Sequence, residues 1–121
     1  MSKDIAKRFL ESAAAGHASD EASKLVTPDF RHHNAFFKGD GASLFKGMDD
    51  NARQFPQKTL TVMQALQDGD RVATLCRVQH APGRPEFAVV HVFRFEGERI
   101  AELWDVAQEI PQESPNVNGS F

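Results

Sequence analysis

The sequence predicts an α+β domain in which three N-terminal helices pack on a curved, mostly antiparallel sheet, leaving a cone-shaped α+β barrel with a pocket inside. Three observations carry this. Apolar residues recur at helical spacing through the first half of the chain. From Lys58 the period changes to the alternation of strands. Short Gly-containing turns then join the strand-like runs, as in a meander. Helices followed by strands is the order of an α+β fold rather than of alternating units.

Between Asp4 and Ala15, the apolar positions Ile5, Ala6, Phe9, Leu10 and Ala13 form one helical stripe, and Gly16 offers a stop. Ser19 or Asp20 can cap a second short helix through Leu25 and Val26, closed off by Pro28. A third stripe from Ala42 to Phe55 carries Leu44, Phe45, Met48 and Ala52 and ends before Pro56. The run KTLTVMQALQDGDRVATLCRVQH holds two strands joined at Asp68-Gly69-Asp70, a hairpin signal. APGRP breaks the chain, and EFAVVHVFRF follows as a third strand. Glu96-Gly97-Glu98 makes the next turn, and RIAELWDVAQEI is a fourth strand that stops at Pro111. One domain therefore spans 1–121, with a helical part over 1–57, the sheet over 58–110 and a polar tail over 111–121. The closing NVNGSF either folds back, so that Phe121 plugs the cone or meets a partner subunit, or stays unordered.

A chain of 121 residues can bury roughly two-thirds of its unfolded surface, enough for a core without staples. The formal charge of −3 is mixed along the chain and offers no basic stripe, which argues against nucleic acid as a partner. No apolar run is long enough to cross a membrane, and the N-terminus has no continuous hydrophobic segment of a secretory signal. The single cysteine, Cys76, excludes an internal disulfide and fits a reducing cytoplasm. It lies within the strand pattern RVATLCRV, with nothing nearby to stabilise a thiolate, and reads as buried packing. The histidines 17, 32, 33, 80 and 91 never fall at metal-site spacing. No phosphate loop or nucleophile elbow occurs, so neither metal nor cofactor is expected.

Strand parity sorts the candidate site. In the third strand Phe87, Val89, His91, Phe93 and Phe95 share a face, the better candidate for the inside. In the last strand Ala101, Leu103, Asp105 and Ala107 share one face, while Ile100, Glu102, Trp104 and Val106 share the other. An aspartate among such small apolar neighbours either pairs with a donor or holds its proton more tightly. Trp104 points away from Asp105, toward core or dimer packing. Arg94 falls on the outer side, where it can snorkel or pair with a glutamate. The outer face also carries Leu75, Ala88, Val90 and Val92, a broad patch that predicts a homodimer through that face. The stretch FRHHNAFFKGDG, from Phe30 to Gly41, sets two histidines and an asparagine among aromatics. They either line the polar end of an apolar cavity or satisfy backbone groups at a turn, with Asn34 in an Asx-turn. If the stretch is extended, His32 alternates away from His33 and is exposed. His80 is a rim residue and His17 is solvated.

PDFRHHN upstream, FRFEGERIAELWDV downstream and the PNVNGSF ending resemble SnoaL-like (polyketide cyclase-like) proteins of the nuclear transport factor two-like superfamily. The specific matches are His33-Asn34, Phe93-Arg94, Trp104-Asp105 and the stretch from Asn118 to Phe121. Leu103 stands where that subgroup usually has a histidine before the Trp-Asp pair, and His91 stands where an acid is common. The resemblance implies a pocket for a small hydrophobic, carbonyl-bearing ligand. It also implies cofactor-independent acid–base chemistry of the aldol cyclase or isomerase type, or else a non-catalytic binding or interaction module on the same fold. Carried onto this chain, Asp105 is the base, with His33 and His91 polarising a carbonyl. Asn34 orients His33 or donates to the ligand. Phe37, Phe87, Val89, Phe93 and Leu103 complete the ligand-binding wall.

Overall fold

The computed structural model describes residues 1–121 and contains two α-helices and five strands. Helix α1 (Ser2–Ala14) buries Ala6, Phe9, Leu10 and Ala13, the stripe expected from its spacing. Gly16 follows at φ +88°, a backbone conformation that favours glycine. Helix α2 (Gly41–Gln54) begins at Asp40, whose carboxylate accepts from the Ser43 N–H at 2.9 Å and from its hydroxyl at 2.7 Å. It buries Leu44 and Phe45.

The expected second helix is not a full element. Ala22–Leu25 makes a single tight turn, after which the chain enters strand β1 (Val26–His32). There are thus two helices rather than three, and the N-terminal part contains a strand. Pro28 does not end a helix here. It sits in the irregular stretch of β1 between the pairings Val26–Ile100 and Arg31–Glu102, on an edge strand where a missing N–H is tolerated.

The remaining strands fall where the alternation puts them: β2 (Thr59–Asp68), β3 (Arg71–Gln79), β4 (Glu86–Glu96) and β5 (Arg99–Glu109). The sheet order is β1-β5-β4-β3-β2. The β1–β5 pair is parallel and the other three are antiparallel. Asp68 pairs with Arg71, and Glu96 with Arg99, so both hairpins close through two residues, with Gly69 and Gly97 at positive φ. A bulge interrupts β5: Arg94 faces Glu102 but Phe95 faces Ile100, leaving Ala101 as the extra residue. Consequently Ile100 is fully buried with Leu103 in the core, rather than sharing the outer face with Glu102 as strict alternation implies.

Both helices belong to one layer on one face of the sheet. Phe9 of α1 lies edge-on to Phe93 of β4, with ring centroids 5.8 Å apart, and Phe45 of α2 stacks on Phe30 of β1 at 5.9 Å. With Ile100, Leu103 and Phe95 these rings fill one end of the space between helices and sheet. The opposite end, beside Phe87 and Val89, is incompletely filled. The site lies there.

Candidate functional site

The cavity at the unfilled end has a volume of about 360 Å³, within the range that holds small organic ligands. Leu10 and Met48 come to it from the helices, and Leu60, Val78, Phe87 and Val89 from the sheet. Most of the wall is apolar. The polar exceptions are His91, His80 and Lys58.

His91 is 8% exposed, and its Nδ1 has no hydrogen-bond partner in the protein. Its register partner across the β4–β5 ladder is Asp105. Burial, opposed by the Asp105 carboxylate and aided to a smaller extent by nearby Lys58, takes the imidazole pKa down to about 4. The ring is therefore neutral near pH 7, with one donor and one acceptor nitrogen. An unpaired buried polar atom is uncommon in native proteins, and the ring that carries this one lines the cavity.

Asp105 accepts from Asn34 Nδ2, at 3.0 Å through one oxygen and 3.3 Å through the other. It finds its donor in a neutral amide. The Asn34 side-chain carbonyl in turn accepts from the Phe36 N–H at 3.0 Å, closing an Asx-turn. The Asn34 N–H donates to His32 Nδ1 at 3.1 Å, and His32 Nε2 donates to the Lys38 carbonyl at 2.6 Å. His32 is the internal scaffold of the loop that presents Asn34. It is 5% exposed, which corrects the expectation that it faces solvent.

His33 takes the opposite side. Its N–H extends the β1–β5 ladder by donating to the Leu103 carbonyl at 2.9 Å, but its ring lies on the outer face. There it stacks on Trp104, with centroids 4.9 Å apart and planes 4° from parallel, and its Nε2 donates to Glu102 at 2.6 Å. The expected convergence of His33 and Asp105 in one chamber does not occur. The physical reason is register. His32 pairs with Leu103, so His32 shares the inward face of β5, and the alternation sends Arg31 and His33 outward. Asn34 reaches Asp105 only because the strand ends and the chain turns.

The other expected wall residues divide. Phe87 and Val89 line the cavity. Phe93 and Leu103 are buried in the filled end, among core residues rather than along the cavity. Phe37 packs its ring on α2 at Gly47, where a Cβ would collide with it. Its neighbour Phe36 reaches the cavity edge instead and is 89% exposed. His80 sits at the mouth, edge-on to Phe55 at 4.8 Å and to Phe87 at 5.6 Å, as expected for a rim residue. Cys76 is wholly buried, and burial raises its thiol pKa, in keeping with packing rather than reactivity. Lys58 was missed, although its parity with Leu60 and Val62 marks it as facing the helices.

Two helices on one face of a five-stranded mixed sheet, with an apolar cavity carrying a few polar groups, define an α+β fold built around a pocket. The SnoaL-like domain profile matches residues 6–103, and the chain belongs to this family. Among solved structures, AclR from Streptomyces galilaeus, described as a proposed hydroxylase, is 23% identical. The alignment covers 88% of this chain and 87% of that one, with a TM-score of 0.73. Wild-type IdmH from Streptomyces antibioticus, a proposed polyketide cyclase, is 23% identical over 87% and 90% of the two chains, at a TM-score of 0.70. A proposed ketosteroid isomerase from Kribbella flavida is 18% identical over 95% and 83%, at 0.72. At these identities the likeness establishes the fold alone. Among curated proteins none matches the chain.

Proposed function

We propose that the protein binds a small hydrophobic, carbonyl-bearing molecule in this cavity and transforms it by cofactor-independent acid–base chemistry of the aldol cyclase or isomerase type. The observation that carries the reading is the buried, neutral His91, whose Nδ1 lacks a partner at the cavity wall directly across from Asp105. Three structural neighbours are described as a cyclase, an isomerase and a hydroxylase, which fits small-molecule chemistry without selecting a reaction.

In this reading the Asp105 carboxylate removes a proton from the carbon next to the ligand carbonyl. The electron pair moves onto the carbonyl oxygen, and the His91 N–H stabilises the resulting enolate. In an aldol closure the enolate carbon attacks a second carbonyl, and the new alkoxide takes back the proton held by Asp105. In an isomerisation Asp105 returns the proton to a different carbon. Asn34 fixes the Asp105 oxygens through its amide. His33, on the outer face, takes no part.

A specific observation favours a second reading, a binding module without catalysis: both Asp105 oxygens are already engaged by Asn34. Asp105→Asn separates the two. Ligand affinity retained with turnover abolished supports catalysis, whereas affinity and turnover both unchanged overturn it. The same proposal takes the protein as a cytoplasmic homodimer through the outer sheet face, where Val106 is 70% exposed beside its cross-strand neighbour Val90. Light scattering of Val106→Asp checks this, with a monomer as the expected result.

A further inference from the structure

Two polar side chains of the cavity wall, His80 and Lys58, are unused by this chemistry, and Lys58 is the one that is not an imidazole at the rim. Lys58 stands just before β2, at the end of a turn closed by its own N–H donating to the Phe55 carbonyl at 3.0 Å. Alternation places it with Leu60 and Val62, both packed against the core, so a lysine begins an otherwise apolar series. Its Nζ donates to the Asn51 side-chain carbonyl at 2.8 Å. None of the ion pairs in the protein includes it. It is the one lysine or arginine on the cavity wall, among residues that are mostly hydrophobic.

A half-buried ammonium with only a neutral partner is costly in apolar surroundings, and an anion brought next to it offsets that cost. Burial also holds the Lys58 pKa below the usual lysine range, the direction expected where a counter-charge is lacking. Arg84 lies outside the cavity in the adjoining depression with His80 and Phe87, but Glu109 shares that depression. Lys58 is thus the one lysine or arginine of the cavity wall, and it forms no ion pair.

We propose that the cavity selects amphipathic organic acids, with the apolar body along Leu60, Phe87 and Val89 and a carboxylate seated on Lys58 Nζ. This rests on the reading that the cavity binds a small hydrophobic molecule, and it adds the chemical class of that molecule.

Calorimetric titration with naphthoate and with acetonaphthone tests it, since the two share a ring system and differ in carrying a carboxylate or a ketone. The expected result is a preference of about tenfold for naphthoate in the native protein, the effect of one charge-assisted contact. Lys58→Met abolishes the preference, and Lys58→Arg retains it. Equal binding of both compounds to the native protein, or a preference surviving in Lys58→Met, overturns the assignment and leaves the cavity reading intact. If neither compound binds the native protein, both readings fall. The comparison within the native protein decides the matter even if a variant does not fold.

Discussion

Glu102 and Asp105 lie three residues apart on β5, yet they face opposite sides of the sheet and live in contrasting company. Glu102 is buried on the outer face and accepts from His33, from Arg31 at 2.9 and 3.1 Å, and from Arg94 at 3.2 Å. Its hydrogen bonds with His33 and Arg31 hold the carboxyl pKa at about 2 against the effect of burial, with further help from Arg94. Asp105, on the helix-covered face, has only the amide of Asn34. The difference teaches how one strand carries a clamped carboxylate on one face and a lightly held one on the other. A carboxylate saturated by cationic donors is locked into its charged form and serves the fold. A carboxylate held by one neutral donor keeps its orientation without a fixed counter-charge, which is what the proposed base requires.

The largest expected effect breaks this contrast on the side of Asp105. If Asp105 is the base, Asp105→Asn lowers turnover by roughly a hundredfold or more, while stability changes by less than about 1 kcal/mol. A loss of stability as large as that of a Glu102 variant would make the two acids equivalent.

Next comes the acid sensitivity of His91. Its folded pKa is depressed from 6.5 to about 4, so the unfolded chain takes up the proton first. The stability it allows is complete above pH 6.5 and is lost as the pH falls toward 4, on the order of 3 kcal/mol in all. Urea unfolding across this range shows the loss, and His91→Phe flattens it. Glu102 titrates in a lower window, because its depressed pKa confers stability that is present above 4.5 and lost toward about 2.

Glu102→Gln is expected to destabilise by roughly 1–3 kcal/mol, because it removes the charge shared by Arg31 and Arg94, an effect tempered by the exposure of Arg31 and by the second partner of Arg94, Glu96. Denaturant midpoints measure it. The smallest effect sharpens the comparison most directly. His33→Ala should cost only about 0.5–1 kcal/mol and leave turnover and ligand affinity unchanged. A collapse of activity in that variant would return His33 to the site.

How much of this was legible in the sequence follows from the range of the interactions involved. Strands β2 to β5 were readable because their partners are adjacent and the turns at Gly69 and Gly97 are written locally. The β1 strand was not. Its partner β5 lies some seventy residues away along the chain, it pairs in parallel without a hairpin, and Pro28 reads as a helix stop. The same gap misassigned the two histidines. Alternation shows that residues 32 and 33 face opposite ways, but only the pairing of His32 with Leu103 decides which one turns inward. The hairpin register alone, continued from Glu96 and Arg99, would set His91 opposite Trp104, and the bulge is what brings Asp105 across from it. Lys58 was within reach, by extending the parity of Leu60 and Val62 back by one step. The bulge at Ala101 has no local signature, and it moved Ile100 into the core.

The bare backbone at Gly47 has a consequence that reaches beyond its own helix. Phe37 rests against it, and the span between β1 and that resting point is the arm that carries Asn34 to Asp105. A single methyl group added at position 47 would collide with the ring, and relieving that clash through the arm would alter how the aspartate is gripped. The hold on that carboxylate thus depends on a distant residue with no chemistry of its own.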